Sequence, residues 1–153
     1  QVGKVIVNAN RNLAAYEAFC ADVFLDTTPD FAGPLAGFMT GLSNCETPWM
    51  VTVPCDTPNF PDDLVQRLAD AAQAVDADIA YPVTTENGQP QSHPVFCLMN
   101  TRITDSLMQY MDSGGRKIDA WFARHEAVAV PFENAAAFFN ANTPQELAQL
   151  QQR

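Results

Sequence analysis

The sequence predicts an α/β fold in three layers, with helices on both faces of a mostly parallel sheet. Three observations lead to this prediction. Short apolar, β-branched runs alternate with helical patterns along most of the chain, as in sheets whose strands are joined by crossover helices. Several of these runs stop at a polar residue, which is typical of strands that end at a ligand-binding edge. The pair Asn87-Gly88 predicts a hairpin and so one added antiparallel strand.

Each element follows from a local pattern. The predicted strands are short and apolar, at residues 4–7, 23–25, 49–53, 79–83, 95–99 and 127–130, with 95–99 as the hairpin partner of 79–83. The predicted helices have apolar residues at helical spacing, at 13–21, 34–42, 61–75, 101–111 and 118–124. A last helix opens with Thr143 as a natural cap, Pro144 in the first position and Glu146 completing a capping box.

Composition limits the possible functions. The chain has 153 residues, 47% of them hydrophobic, which suffices for one domain spanning residues 1–153. Its net charge is −10 and its only lysines are Lys4 and Lys117, so the surface repels nucleic acid and anionic membranes. No apolar run approaches the roughly 20 residues of a membrane helix. The charge of a phosphorylated substrate must therefore be met locally, by a metal, backbone N–H groups or a few arginines.

The cysteines indicate a reducing compartment. None of the four forms a C-x-x-C pair, so we expect reduced, mostly buried thiols in a cytoplasmic protein; they are Cys20, Cys45, Cys55 and Cys97. The spacing also argues against a zinc site, because His93 and His125 are far from any cysteine in the sequence.

Three early strands end in polar residues, namely Asn8, Asp26 and Asp56. In a parallel sheet these ends lie along one edge, where an amide and two carboxylates suit a nucleotide with a metal. Asp56 stops a β-branched run between Pro54 and Pro58 and could coordinate Mg²⁺, which takes one or two carboxylates plus substrate phosphates. The alternatives are that Asp56 caps the next helix, and that all three are ordinary turn residues.

Other candidates are more ambiguous. Gly33 and Gly37 surround a helix start and indicate close approach by a ligand or, equally, tight helix packing. Asn140 and Asn142 pair two amides, although Asn142 could simply be a turn residue. His93 is more often structural than catalytic in such a position. The segment 114–116, Gly-Gly-Arg, could form an anion-binding nest or, more simply, a flexible connection.

These segments together resemble the molybdenum cofactor guanylyltransferase (MobA) family. The matching stretches are Val5-Ile6-Val7-Asn8-Ala9-Asn10-Arg11, then Asp26 with Gly33-Pro34-Leu35-Ala36-Gly37, then Pro54-Cys55-Asp56-Thr57-Pro58, His93-Pro94, and Asn140-Ala141-Asn142-Thr143-Pro144-Gln145-Glu146-Leu147. Each is modest alone, but their order and spacing are fairly specific. The resemblance implies a Rossmann-like nucleotidyltransferase fold and transfer of GMP from GTP to molybdopterin, with Mg²⁺ as cofactor.

The resemblance also implies roles for the matching residues. Asn8 and Asp26 would contact the guanine nucleotide, and Asp56 would bind Mg²⁺ and nucleotide phosphate as the catalytic carboxylate. The pterin side would be formed by two asparagines and two cleft glycines, namely Asn140, Asn142, Gly33 and Gly37. Proteins of molybdenum cofactor biosynthesis and apo-molybdoenzymes are the implied partners.

One family feature is not among these residues. The family opens with a strand and a glycine-rich loop, Leu-Ala-Gly-Gly with a downstream Asp-Lys, which cradles the triphosphate. The chain starts at Gln1 with a strand almost at once, so we expect an N-terminal truncation, an exposed apolar sheet edge, and no activity from these 153 residues alone. GTP-dependent transfer by them would contradict that expectation.

Two alternative functions follow, because the family's glycine-rich phosphate loop is not among these residues. One is a related cytidylyltransferase or sugar-nucleotide enzyme, which nucleotide preference would separate. The other is a non-catalytic protein that has lost the phosphate loop and binds a pterin or a partner chain.

Overall fold

The structure is a computed structural model that describes residues 1–18, 22–26, 33–141 and 143. Its strands are β1 (Val7–Asn8), β2 (Val23–Phe24), β3 (Trp49–Val51), β4 (Ile79–Glu86), β5 (Gln89–Ser92), β6 (Leu98–Asn100) and β7 (Ala127–Pro131). Its α-helices are α1 (Leu13–Glu17), α2 (Pro34–Ser43), α3 (Leu64–Val75), α4 (Thr104–Asp112) and α5 (Ile118–Phe122), and 3₁₀ turns cover Thr101–Ile103 and Ala135–Phe138. The predicted α/β class is confirmed. The predicted last helix lies outside the described residues.

The described strands form two sheets. β1 and β2 pair in parallel, and a separate sheet has β6 between β3 and β4. β6 is antiparallel to both neighbours, whereas β7 runs parallel to β4 along its other edge. Three of the five strands, β3, β4 and β7, therefore point the same way in a mixed sheet. Two observations bear on the expected exposed apolar edge. Within the described chain β3 has a strand neighbour on one side only. The side chains of Val5 and Val53 are 59% and 42% exposed.

The hairpin was predicted, but its second strand was placed wrongly. Asn87 and Gly88 both have positive φ, 50° and 75°, as a two-residue hairpin turn of the primed type requires. The partner of the second half of β4 is β5, not 95–99. β5 consists of polar, exposed residues and so carries no period-2 apolar signal. β6 pairs instead with the start of β4 and with β3.

The core occupies both faces of the larger sheet, as three layers require. Consecutive residues of β4 alternate between the two sides, since Ile79 belongs to one buried cluster and Ala80 to the other. Helices α2, α4 and α5 contribute to the Ile79 side, with Trp121 fully buried. Helix α3 covers the Ala80 side through Leu64 and Leu68, both fully buried.

The described helices include none that is long and apolar enough to cross a membrane.

His93 has core partners, in agreement with its interpretation as a structural residue. Its ring stacks on Phe138 at a centroid distance of 4.5 Å, and its Nε2 lies 2.8 Å from the Oγ1 of buried Thr84. Burial lowers the pKa of His93 below its ordinary value of 6.5, although the nearby Glu86 carboxylate opposes this shift.

Stability should therefore decrease as the pH falls. Because the folded state binds the His93 proton less readily than the unfolded state, the contribution of His93 is fully present above pH 6.5 and declines at lower pH. Denaturant midpoints measured from pH 7.5 to 5 should show this slope. The slope should be shallower in His93→Gln, and an unchanged slope in that variant would contradict the prediction.

Candidate functional site

Asn8 and Asp26, at the ends of β1 and β2, are in direct contact. Because β1 and β2 are parallel neighbours, their carboxyl ends meet at one edge. The Asn8 Nδ2 donates to Asp26 Oδ1 at 2.9 Å and to the carbonyl of Phe24 at 3.2 Å. The sequence therefore predicted correctly that these two side chains come together.

Two further residues complete this cluster. The Asn10 Nδ2 donates to Asp26 Oδ2 at 2.7 Å, and the Asn10 Oδ1 accepts from the Asp26 backbone N–H at 3.0 Å. The hydroxyl of Thr40, on α2, donates to Asp26 Oδ1 at 3.4 Å. Asp26 is thus a carboxylate that holds three side chains, one each from the end of β1, the loop after it and helix α2. Sequence reasoning gave Asn10 and Thr40 no role.

Gly37 lies against the same cluster. A Cβ at position 37 would be 3.0 Å from Asn8 Oδ1, so the absence of a side chain lets helix α2 approach the amide closely. Gly33 has a different reason to be glycine. It is the N-terminal cap position of α2, with φ 132°, and a Cβ there would have no neighbouring atom within 4 Å, so backbone conformation alone requires glycine.

Gly37→Ala should separate stability from ligand binding. Alanine favours the helix by up to about 1 kcal/mol, but its methyl group would push the Asn8 amide away from its place. We expect an unchanged or higher melting temperature together with a several-fold higher KM for GTP, the substrate that the family resemblance implies. Gly3→Ala, which meets open space, is the matched control. Equal KM values in both variants would contradict the prediction.

Asp56 belongs to a second group of residues, distinct from the first. Its carbonyl accepts a hydrogen bond from the Ala141 N–H at 2.7 Å. The neighbouring Thr57 is 2% exposed, and its Oγ1 donates to Asn140 Oδ1 at 3.0 Å. The loop that follows β3 is thereby tied to residues 140–141. Asn142 lies outside the described residues.

The alternative that Asp56 caps the next helix is contradicted. Helix α3 begins at Leu64, and Asp63 occupies its cap position. Within the described residues the half-buried Asp56 carboxylate has no hydrogen bond or ion pair, and no hydrogen bond there links Asp56 to the Asn8 and Asp26 side chains. The same residues contain no group of three or more His, Cys, Asp or Glu able to hold a metal. A metal at Asp56 would therefore take most of its ligands from substrate and water.

The remaining candidates have structural partners or differ from expectation. The Arg116 guanidinium donates to the carbonyls of Met111 and Gly115, which fixes the turn after α4 and favours the connecting role over the anion nest.

The three described cysteines are free, but only Cys97 is buried, and burial raises its pKa to about 12. Cys55 is exposed because it lies in the turn beside Asp56, so the expectation of mostly buried thiols was wrong there. Cys20 lies outside the described residues.

Sequence comparisons with known proteins indicate one family. The MobA-like NTP transferase domain family matches residues 1–128. The chain is 57% identical over 148 residues to a molybdenum cofactor guanylyltransferase of Cupriavidus metallidurans, covering 96% of the chain and 73% of that protein. It is 58% identical over 150 residues to the Bordetella petrii protein of the same name, covering 98% and 76%.

Solved structures support the same fold. Molybdopterin-guanine dinucleotide biosynthesis protein A from Archaeoglobus fulgidus superposes with a TM-score of 0.69 at 18% identity, covering 96% of this chain and 76% of that one. The 2-C-methyl-D-erythritol 4-phosphate cytidylyltransferase from Thermus thermophilus gives 0.60 at 16% identity, covering 92% and 87%. The fold is that of nucleotidyltransferases, and the sequence identities go further: the chain belongs to the molybdenum cofactor guanylyltransferase family.

Proposed function

We propose that this protein transfers GMP from GTP to molybdopterin, forming molybdopterin guanine dinucleotide and releasing pyrophosphate. The observation that carries the proposal is the 57–58% identity to molybdenum cofactor guanylyltransferases over nearly the whole chain. The polar strand ends support it, because an amide and carboxylate cluster lies at one strand pair and a separate free carboxylate follows β3. These two groups suit the two ends of a nucleotide.

The proposed roles follow the two groups of residues. Asn8 and Asp26 contact the guanosine part of the nucleotide. Gly37, which the resemblance placed on the pterin side, lies against Asn8 and leaves room for its amide. Asp56 lies at the phosphates as the catalytic carboxylate. Asn140 faces the pterin side, with Asn142 and Gly33 assigned there as well. The hydrogen bond from Thr57 to Asn140 supports this arrangement, because it fixes the pterin-side amide next to the phosphate-side carboxylate.

In the proposed reaction, a terminal phosphate oxygen of molybdopterin attacks the α-phosphorus of GTP in line. The new P–O bond forms as the bond from the α-phosphorus to the bridging oxygen breaks, and pyrophosphate leaves with that electron pair. This chain's residues act mainly by positioning the two substrates. Holding the base at the Asn8 cluster and the pterin near Asn140 brings the two phosphates together beside Asp56.

The Asp56 carboxylate fits a magnesium ion. It is a hard oxygen ligand with no partner in the described chain, and Mg²⁺ commonly takes one or two carboxylates while keeping water and substrate phosphates. When bound, the ion would neutralise the charge that develops on the phosphates. With a net charge of −10, these 153 residues offer little positive charge for that purpose.

We also propose a cytoplasmic location and transient contact with proteins that deliver molybdopterin or accept the finished cofactor. The free thiols of Cys45, Cys55 and Cys97 support a reducing compartment.

Nucleotide preference tests the proposed function. The full-length protein would be incubated with molybdopterin, Mg²⁺ and GTP, CTP or ATP in turn, and pyrophosphate release and dinucleotide formation would be measured. We expect product with GTP alone. A preference for CTP would favour the related cytidylyltransferase, and pterin binding without transfer of any nucleotide would favour the non-catalytic alternative.

A further inference from the structure

Arg11 lies in the loop between β1 and α1, and both of its neighbours are fixed. On one side, both side-chain polar atoms of Asn10 are bonded to Asp26. On the other, Asn12 has left-handed backbone, φ 54°, and its carbonyl accepts from the N–H groups of Ala15 and Tyr16. The backbone of Arg11 is therefore held beside the Asp26 cluster while its side chain is exposed.

Its guanidinium is uncommitted, unlike most cations of the described chain. Lys4, Arg67 and Arg102 form ion pairs, and Arg124 lies 4.6 Å above the Tyr110 ring. Among the described residues the side chains of Arg11 and Lys117 have no such partner, and only Arg11 is near the cluster at the end of β1. In a protein of net charge −10, a free guanidinium at this place is an exception.

The cluster also leaves one particular acceptor free. Both Asp26 oxygens accept from asparagine amides, and both polar atoms of the Asn10 side chain are used. The Asn8 amide nitrogen is used as well, whereas its Oδ1, facing Gly37, accepts no hydrogen bond from the described residues. A ligand at this strand end would therefore meet an amide acceptor, and the adjoining loop carries the exposed guanidinium of Arg11, a fork of donors.

We propose that Arg11 reads the guanine base, donating to its O6 and N7 while Asn8 Oδ1 accepts from the N1–H and N2–H₂ edge. Guanine presents the two adjacent acceptors that a guanidinium binds in a bidentate manner. Adenine has an amino group in place of O6, and cytosine lacks N7. This inference rests on the proposed function and goes further, because it assigns the residue that selects GTP.

Base analogues test the contact directly. GTP and 7-deaza-GTP, in which C–H replaces N7, would be titrated into the full-length protein and its Arg11→Ala and Arg11→Lys variants by calorimetry. A bidentate contact corresponds to a loss of about tenfold or more in GTP affinity for Arg11→Ala. The wild type should bind 7-deaza-GTP more weakly than GTP, whereas Arg11→Ala should bind both equally, and Arg11→Lys should fall between.

The controls separate the possible failures. Lys117→Ala removes the other uncommitted cation and should leave both affinities unchanged, and the melting temperature should be the same in all variants. An Arg11→Ala loss of equal size for GTP, 7-deaza-GTP and CTP would mean a phosphate contact and overturn base reading. No loss at all would also overturn it. A wild type that binds no GTP would instead refute the proposed function on which the inference rests.

Discussion

Asp56→Asn is expected to lower kcat for guanylyl transfer by about a hundredfold or more, while leaving the fold intact. The carboxylate follows β3 and is free of hydrogen bonds and ion pairs within the described residues, so its charge is available to a metal and its loss removes no protein contact. The asparagine side chain has nearly the same size as that of aspartate. The substitution also leaves the backbone carbonyl of residue 56, which accepts from the Ala141 N–H, unchanged. What it removes is the negative charge that holds a divalent cation at the phosphates.

The measurement compares kcat, KM for GTP and the Mg²⁺ concentration for half-maximal rate in the full-length protein. Asp62→Asn is the matched control, because Asp62 is an exposed carboxylate only six positions further along the chain. The Asp56 variant should require more Mg²⁺ and melt at the wild-type temperature, and the control should match the wild type in every respect. A fully active Asp56→Asn enzyme would place the metal elsewhere.

The helices were predictable because their signals are local. Pro34 at the first helical position and the apolar spacing after it placed α2 at 34–42, and the structure has Pro34–Ser43. The pairing of strands depends on residues far apart in the chain, and there the prediction weakened. Nothing in the polar run of β5 distinguishes it from a loop, and nothing local places β6 between β3 and β4.

The candidate site was likewise predictable where the signal was local and not where it depended on contacts between distant residues. Asn8 and Asp26 were predicted to meet because parallel neighbours end at one edge, and they do. Thr40 could not be found, because a threonine on an apolar helix carries no sign that its hydroxyl reaches Asp26. The contact between Thr57 and Asn140 joins residues 83 positions apart, so the proximity of Asn140 to Asp56 required the fold. Asn10 had one usable signal, its position two residues after Asn8.

Asp26→Ala should raise the KM for GTP by roughly thirtyfold, with a smaller effect on kcat. The substitution removes the acceptors of two asparagine amides and of the Thr40 hydroxyl. A hydrogen bond to a charged group contributes about 1.5–3 kcal/mol, but partial exposure of this cluster reduces the sum to about 2 kcal/mol, which corresponds to that factor. The KM rises because the Asn8 side chain and the loop that carries Arg11 lose the hydrogen bonds that fix their positions for nucleotide binding.

Thr40→Val is the control for this variant. It deletes only the longest of these hydrogen bonds, 3.4 Å, from a fully buried side chain, so GTP affinity should change little while stability decreases. Steady-state kinetics with varied GTP, together with thermal melting, distinguish the two effects. If Asp26→Ala and Thr40→Val had the same KM for GTP, Asp26 would serve the packing of β2 against α2 rather than the nucleotide.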